Sequence, residues 1–266
     1  MNEEPLGRWQ GSSADELAEA WGVPRLCLYQ RVGSTNDVAK RLAAAGAPHG
    51  TVVLAEEQTA GRGRGGQGWS SPPGVGVWLS LVIRPGPKAP PPPLPLSPGL
   101  AVARALDAVV APAVVLLKWP NDLYLGEGKF AGLLCEGSWG GEGANFLIIG
   151  IGINVNQRAG DFPPGLRERA TSLSLAVGHR VDRAGVADRV VKAVLKAAGE
   201  VGGKLSGGEQ AEVERRDLLV GRRVSVNSGG SVVEGDALGV APDGALLVRD
   251  RSGRLRRVLS GSVTVR

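Results

Sequence analysis

The sequence predicts an α/β domain followed by a small all-β unit, and three observations carry that prediction. Between about residues 27 and 215, short runs rich in β-branched and apolar residues alternate with helical patterns. From about residue 217 to 266 the texture changes to apolar triplets broken by turn signals, the pattern of an SH3-like barrel. Hydrophobic residues make up 42% and charged residues 21%, as in ordinary globular chains, but only 4% are aromatic, so both cores must be built from Val, Leu, Ile and Ala.

Each element can be justified in order. Residues 1–26 read as a short extension with one helix, SSADELAEAW, which has a serine N-cap candidate and Leu17, Ala18 and Trp21 at helical spacing. RLCLYQRV is a strand, GSTN a turn and DVAKRLAAAG a helix closed by Gly46. TVVLAEEQ is a strand that runs into the loop GRGRGGQGW, Gly61–Trp69, and VGVWLSLVIRP is the next strand. Eight prolines between Pro85 and Pro98 predict a stiff surface connection of polyproline character. Ser97-Pro98 is expected to cap the helix GLAVARALDAVV. VVLLKWPNDLYL, KFAGLLCEG and NFLIIGIGINVN read as three adjacent strands. Asp182 to Leu205 reads as one amphipathic helix striped by Val186, Val190, Val194 and Leu195. RRVSV, VVEGDALGV, ALLVRD and VLSGSVTV supply the short strands of residues 217–266.

Composition narrows the function classes. The net charge is +5, with 24 Arg against 7 Lys, which suits a nucleic-acid partner and an enzyme of anionic substrates equally. Two cysteines are too few for a disulfide framework and point to a reducing compartment. The two histidines sit near no cysteine in a metal-ligand spacing, which argues against a zinc site and a histidine-based triad. No apolar run follows the N-terminus, and the longest apolar stretch, around FLIIGIGINV, is about half of a membrane span. A cytoplasmic protein is expected.

Five motifs carry chemistry, each with a plainer alternative. In KWPND, Lys118 is a phosphate-binding candidate, and Asn121 with Asp122 could orient a nucleotide-borne magnesium ion; the same pair also favours simple turns. In KFAG, Lys129 offers a mobile point charge and Gly132 lets a ligand approach, or Lys129 is a solvated edge lysine. Ser34, Thr35 and Asn36 place short polar side chains at a helix start, or serve as an N-cap. Asn154, ending GIGIN, is a turn residue or a group that reaches a nucleotide. The Gly61–Trp69 loop can bring bare backbone, Arg62 and Arg64 against a negative charge: a nucleic-acid backbone, a nucleotide phosphate, or only solvent.

The conjunction is more specific than its parts. STN, EEQTAGRGRG-x-G-W, KWPND, K-x-AG and GIGINVN, in that order, resemble the biotin protein ligases, also called biotin–[acetyl-CoA-carboxylase] ligases. The resemblance covers roughly residues 27–160 by motif and reaches the C-terminus by architecture. It implies a biotin/lipoate-ligase-like catalytic domain over 27–215, with a mixed sheet flanked by helices, and an SH3-like domain over 217–266. It also implies a reaction that joins the biotin carboxylate to the α-phosphate of ATP, with magnesium, and then passes biotin to a lysine of a biotin carboxyl carrier protein. Homodimers are common in the family. Carried over by position, Ser34, Thr35, Asn36 and Gln58 line the biotin pocket, and Gly61, Arg62, Gly63 and Arg64 fold over biotin and the adenylate. Lys129 lies between carboxylate and α-phosphate, with Gly132 beside it; Trp69, Lys118, Asn121 and Asn154 serve the nucleotide, and Asp122 the magnesium.

Two departures qualify the resemblance. Gln67 stands where the family pattern has a third arginine, and the surrounding glycines raise the entropy lost when the loop orders, which predicts a weaker hold on the adenylate. Fewer than thirty residues precede the first catalytic strand, too few for the winged-helix DNA-binding domain of the family's repressors, so specific DNA binding is not expected. The rival readings are a lipoate ligase or octanoyl transferase on the same scaffold, in which KWPND with GRGR is not expected, a non-catalytic scaffold recruiting partners through its prolines, and a nucleic-acid-binding protein. The last would use GRGRGGQG and RDRSGRLRR, but that basic patch lacks aromatics for base stacking.

Overall fold

The structure, a computed structural model, describes residues 3–85, 96–138, 146–199 and 204–266. Most of the proline-rich connection expected over 85–98 lies outside the described residues.

An eight-stranded mixed sheet organises the first unit. Its strands are β1 (Glu4–Pro5), β2 (Leu26–Val32), β3 (Val52–Gln58), β4 (Gly76–Ile83), β5 (Leu116–Lys118), β6 (Asp122–Leu125), β7 (Gly128–Ser138) and β8 (Phe146–Asn154). They lie in the order β1-β2-β3-β4-β8-β7-β6-β5. Only β2 and β3 run parallel; every other neighbouring pair is antiparallel. The helices are α1 (Ala14–Trp21), α2 (Thr35–Ala44), α3 (Leu96–Val110), α4 (Leu173–Val177), α5 (Arg183–Gly199) and α6 (Gly207–Arg216).

Period-two alternation sorts the sheet into two faces. On one face Ile149, Ile151 and Ile153 of β8 join Val77, Leu79 and Leu81 of β4 in the main core, closed by α1, α3 and α5. On the other face α2 lays Val38, Ala39 and Ala43 over Val53, Ala55, Val82 and Ile148. Beyond the start of α2 this second face is paved by Gly150, Gly152 and Gly132, and Gly132 and Gly152 are cross-strand partners. The sequence IGIGIN is therefore a packed strand from one side and a bare floor from the other.

Local signals explain several boundaries and correct several expectations. Ser13 caps α1 in a reciprocal capping box with Glu16. Residues 3–25 are less an appendage than the sequence suggests: β1 extends the main sheet, and Trp9, Leu17 and Trp21 are buried in its core. VVLLKWPNDLYL is two strands rather than one, with β5 and β6 forming a hairpin around Trp119, Pro120 and Asn121. Ser97 and Pro98 lie inside α3, which is described from Leu96, so Ser97 is not its cap. The helix expected over Asp182–Leu205 is described as α5, ending at Gly199, and Leu205 stands outside any helix. The sequence reading missed α6 and the short α4.

Five strands build the C-terminal unit: β9 (Arg223–Ser228), β10 (Ser231–Val240), β11 (Leu246–Asp250), β12 (Leu255–Val258) and β13 (Ser262–Val265). Their order is β12-β11-β10-β9-β13, all antiparallel, and no ladder closes β12 onto β13 among the described residues. The two units are joined by more than the chain. Leu218 N donates to Leu117 O at 2.8 Å, and the Trp119 indole N–H donates to Gly244 O at 2.9 Å. Val224, Val226, Leu246 and Val248 continue the core of the main sheet.

Candidate functional site

The start of α2, the end of β3, the glycine floor of β7 and β8, and the Gly61–Trp69 loop converge on one face of the sheet. One wing of this site is neutral and internally bonded. Gln58 Oε1 accepts from the backbone N–H of Thr35 at 2.9 Å and from its hydroxyl at 3.1 Å, while Gln58 Nε2 donates to Ser71 Oγ at 2.8 Å. Ser80 Oγ lies 2.7 Å from Thr35 Oγ1 and donates to Asn36 Oδ1 at 2.6 Å. Asn36 Nδ2 donates to Glu136 Oε2 at 2.6 Å, and Lys40 pairs with the same carboxylate at 2.5 Å. Ser34, Thr35, Asn36 and Ser80 are all buried. Ser34 occupies the N-cap position of α2, yet its hydroxyl makes no capping bond, so the plain N-cap reading is not what its side chain does.

Gly150 is required by this network: a β-carbon there would overlap the Asn36 amide. A β-carbon on Gly61 would sit 2.9 Å from Ser71 Oγ and 3.2 Å from Gln58 Nε2, which fixes the start of the loop beside the same wing.

The loop itself folds as a small hairpin. Trp69 N donates to Gly61 O at 2.8 Å, Gly63 N donates to Gln67 O at 2.6 Å, and the turn passes through Gly65 and Gly66 at φ values of 66° and 77°, where glycine is favoured. Its two arginines have different partners. Arg62 forks onto Asp37 at 2.7 and 2.5 Å, a bidentate pair that holds the Asp37 carboxyl below the usual carboxylate range. Arg64 has no carboxylate partner among the described residues; it donates to Gly261 O of the C-terminal unit at 3.1 Å, and burial lowers its pKa. The Trp69 indole lies on the glycine floor: a β-carbon on Gly152 would come within 2.5 Å of Nε1, and one on Gly132 within 3.4 Å of the ring. Trp69 Nε1 is buried and has no hydrogen-bond partner among the described residues.

The second wing is charged. Lys129 Nζ pairs with Asp122 Oδ1 at 2.5 Å and lies 5.2 Å from the Trp69 ring centroid. Lys118 is the cross-strand partner of Asp122 and sits 5.7 Å from the Tyr124 ring; burial pushes its pKa below the usual lysine range. Burial also raises the Tyr124 phenol to about 12. A single carboxylate, Asp122, cannot hold magnesium alone, and no group of three or more His, Cys, Asp or Glu side chains suited to a metal occurs among the described residues. One carboxylate is nevertheless what an ion carried on nucleotide phosphates needs, so the residues fit that mode of binding.

Two residues expected at the nucleotide act here as braces. Asn121 Nδ2 donates to Leu133 O at 2.7 Å, and its carbonyl accepts from Leu133 N at 2.9 Å, which pins the β5–β6 turn to β7. Asn154 is buried with both amide ends engaged, Nδ2 to Thr171 O at 3.1 Å and Oδ1 from Gln157 Nε2 at 3.0 Å. Sequence reasoning missed Asp37, Ser80, Glu136, Gly150, Gly152 and Gly261. The alternation in IGIGIN could have revealed the two glycines of β8; single residues such as Ser80 and Glu136 leave no local signal.

Comparison with known proteins supplies the family. The Biotin/lipoate A/B protein ligase family matches residues 28–154, and the Biotin protein ligase C terminal domain matches residues 219–266. The biotin--[acetyl-CoA-carboxylase] ligase of Mycobacterium tuberculosis is 34% identical over 259 residues, covering 95% of this chain and 93% of that protein. The bifunctional ligase/repressor BirA of Bacillus spizizenii is 36% identical over 240 residues, covering 89% of this chain and 73% of that protein. The biotin protein ligase from Aquifex aeolicus in complex with biotin and ATP superposes with a TM-score of 0.78 at 32% identity, covering 91% of this chain and 99% of that one. Sequence and fold agree: the chain belongs to the biotin protein ligase family.

Proposed function

We propose that this chain is an ATP-dependent biotin–[acetyl-CoA-carboxylase] ligase. It joins biotin to ATP as biotinyl-5′-AMP, with release of pyrophosphate, and transfers the biotin to a specific lysine of a biotin carboxyl carrier protein. The observation that carries the reading is the position of Lys129, in the charged wing and against the glycine floor of the sheet at Gly132.

The chemistry divides between the wings. Thr35, Asn36, Gln58 and Ser80 present fixed neutral donors and acceptors, suited to the uncharged ring system of biotin and able to orient it without reorganising. The biotin carboxylate then lies toward Lys129, whose ammonium moves from Asp122 onto the carboxylate and the α-phosphate and offsets charge where two anions must meet. Asp122, released from that pair, would hold the magnesium that accompanies ATP, and the ion would supply further charge neutralisation on the phosphates. A carboxylate oxygen attacks the α-phosphorus, and pyrophosphate leaves with the electron pair of the broken bond. Arg62, Gly63 and Arg64 close over the adenylate, and Trp69 covers it on the floor side. Asn121 and Asn154 act through the backbone segments that they brace. In the second half-reaction the carrier lysine attacks the acyl carbon and AMP departs.

We place the division between the two units at Asp217, where the chain leaves α6 and pairs with β5 through Leu117. Trp9, Leu17 and Trp21 commit residues 3–25 to the catalytic core, which supports a ligase that makes no specific DNA contact through that segment. No helix among the described residues is long and apolar enough to cross a membrane, and we assign the reaction to the cytoplasm, where ATP and carrier meet. We also expect the chain to form homodimers, which sedimentation of the purified protein tests. The catalytic test is biotin-dependent exchange of labelled pyrophosphate into ATP. Exchange should require biotin and magnesium and should fall about 100-fold or more in Lys129→Ala, the scale of removing one transition-state donor. A folded protein that shows no exchange with biotin would sink the ligase reading.

A further inference from the structure

The Gly61–Trp69 loop is costly to fold down. Five of its nine residues are glycine, so ordering it removes more conformational freedom than ordering a loop of other residues. From Arg62 to Gly68 its backbone bonds only within the loop among the described residues, through Gly63 N to Gln67 O and Gln67 N to Arg64 O. Closing it over the glycine floor also leaves the Trp69 indole N–H buried without a partner among those residues. Three side chains nevertheless hold it there. Trp69 lies against Gly152, Arg64 donates to the neutral carbonyl of Gly261, and Arg62 forks onto Asp37. Only the last of these three is an ion pair. It is partly sheltered, with 35% of the Arg62 side chain and 29% of the Asp37 side chain exposed, so solvent screens it less than a surface pair. A second carboxylate, Glu136, stands 4.0 Å from the same guanidinium. Asp37 lies in the first turn of α2, directly after Asn36, so one helix start carries both the neutral wing and the hold on the loop.

We propose that Asp37 is a positioning residue for the ligase reaction: through Arg62 it latches the Gly61–Trp69 loop over the floor before substrate arrives, and biotin enters and biotinyl-5′-AMP leaves when that ion pair opens. The proposal rests on the ligase reading and adds to it a residue that acts through the loop. The latch offsets the ordering entropy that the glycines add, and the unpartnered Trp69 N–H keeps the closed state from being so favourable that it cannot open. The same pair shuts the empty site and the filled one. It therefore slows entry and exit alike, and the affinity, which is their ratio, changes little.

The test uses the full-length protein as wild type, Asp37→Asn and Asp37→Glu. The Asp37 side chain is partly exposed, so the variants should fold, and thermal unfolding checks this. Trypsin, which cuts after arginine, probes the ligand-free loop. Fragments ending at Arg62 or Arg64, identified by mass, should appear about tenfold faster in Asp37→Asn, the scale of one charge-assisted pair. Association of biotin and release of biotinyl-5′-AMP, both followed by stopped flow, should quicken by about the same factor, with Kd for biotin within about threefold of wild type. Asp37→Glu keeps the charge and should recover part of each change. Cleavage and both rates within about twofold of wild type in Asp37→Asn would overturn the latch. Faster release with unchanged association would overturn it too, because Asp37 would then serve the bound ligand alone. The trypsin arm needs no substrate. If the wild-type protein shows no biotin-dependent exchange, the ligase reading falls, while the cleavage result still decides whether Asp37 holds the loop.

Discussion

The two wings of the site are built on opposite principles. Around Thr35, Asn36, Gln58 and Ser80 the hydrogen bonds are short, mutual and at least partly buried, and the side chains already hold one another in place. Around Lys118, Lys129 and Asp122 the side chains carry charge and are partly exposed, Lys129 and Asp122 hold each other as an ion pair, and Lys118 lies over the Tyr124 ring. On the proposed function, the difference follows from what each wing has to recognise. A neutral ring binds well to fixed dipoles, because buried groups left unpaired cost about 1–3 kcal/mol each and a preset network avoids that cost. Polyphosphate needs mobile countercharge, and a lysine paired with a carboxylate can transfer its charge to an incoming anion without ever lying bare in a half-buried site.

Four substitutions can break or sharpen this contrast. Gly150→Val should have the largest effect, because its side chain overlaps the Asn36 amide and disrupts the neutral wing as a unit. We expect a stability loss of about 1–3 kcal/mol and a biotin affinity at least ~100-fold weaker by calorimetry, with KM for ATP much less affected. Retained biotin affinity would show that the network is not the biotin site.

The next effect concerns stability at the junction between the units. Asp217 is half-buried there with no ion pair among the described residues, its Oδ2 is buried and unpartnered among them, and burial raises its pKa from 3.8 to about 6. The unfolded chain therefore releases this proton at lower pH than the folded chain does, so stability falls as pH rises from about 4 to about 6 and is level above. Asp217→Asn keeps the acceptor for Leu219 N, at 2.8 Å, and removes the buried charge. The variant should unfold about 1–2 kcal/mol later than wild type at pH 7.5, part of the gain being offset by the unpartnered amide, with no gain at pH 3.5. An equal shift at both pH values would assign the effect to packing instead of charge.

Thr35→Val tests one bond of the neutral wing. It removes the hydroxyl between Gln58 and Ser80 and leaves the backbone N–H of residue 35 on Gln58. KM for biotin should rise about tenfold, the scale of one buried hydrogen bond, and KM for ATP should stay within twofold. The smallest effect is expected at Gln67, an exposed residue that closes the loop hairpin through its backbone. Gln67→Arg restores the charge of the family pattern and should slow dissociation of biotinyl-5′-AMP a few-fold, the scale of one exposed charge. An unchanged rate would remove Gln67 from the account of adenylate retention.

The legible and illegible parts of this protein divide along the same physical line. The serine cap of α1 was readable, whereas the capping box of α6, Ser206 with Glu209, was hidden by Gly207 and Gly208, which weaken any helical pattern. KWPND was legible as a motif, yet the hairpin that it forms was not, because the strands on either side are three and four residues long and give too little pattern to separate. Asn121 and Asn154 stood out as polar groups at strand ends. Whether such an amide faces a ligand or braces a loop depends on which carbonyl lies across from it, and for both residues that carbonyl belongs to another segment, Leu133 and Thr171.

The sequence by itself determined the strand faces, the glycine floor of IGIGIN, the polar start of α2 and the order of the motifs, because side-chain direction repeats every two residues in a strand and every 3.6 in a helix. Only the tertiary structure decided the pairings: Arg62 with Asp37, Arg64 with a carbonyl of the C-terminal unit, Asn36 with Glu136, and Lys129 with Asp122. Arg64 and Gly261 are 197 residues apart, and Asn36 and Glu136 are 100 apart. Periodicity acts over a few residues of chain, while partnership across such separations is set by strand register and by the docking of one unit on another.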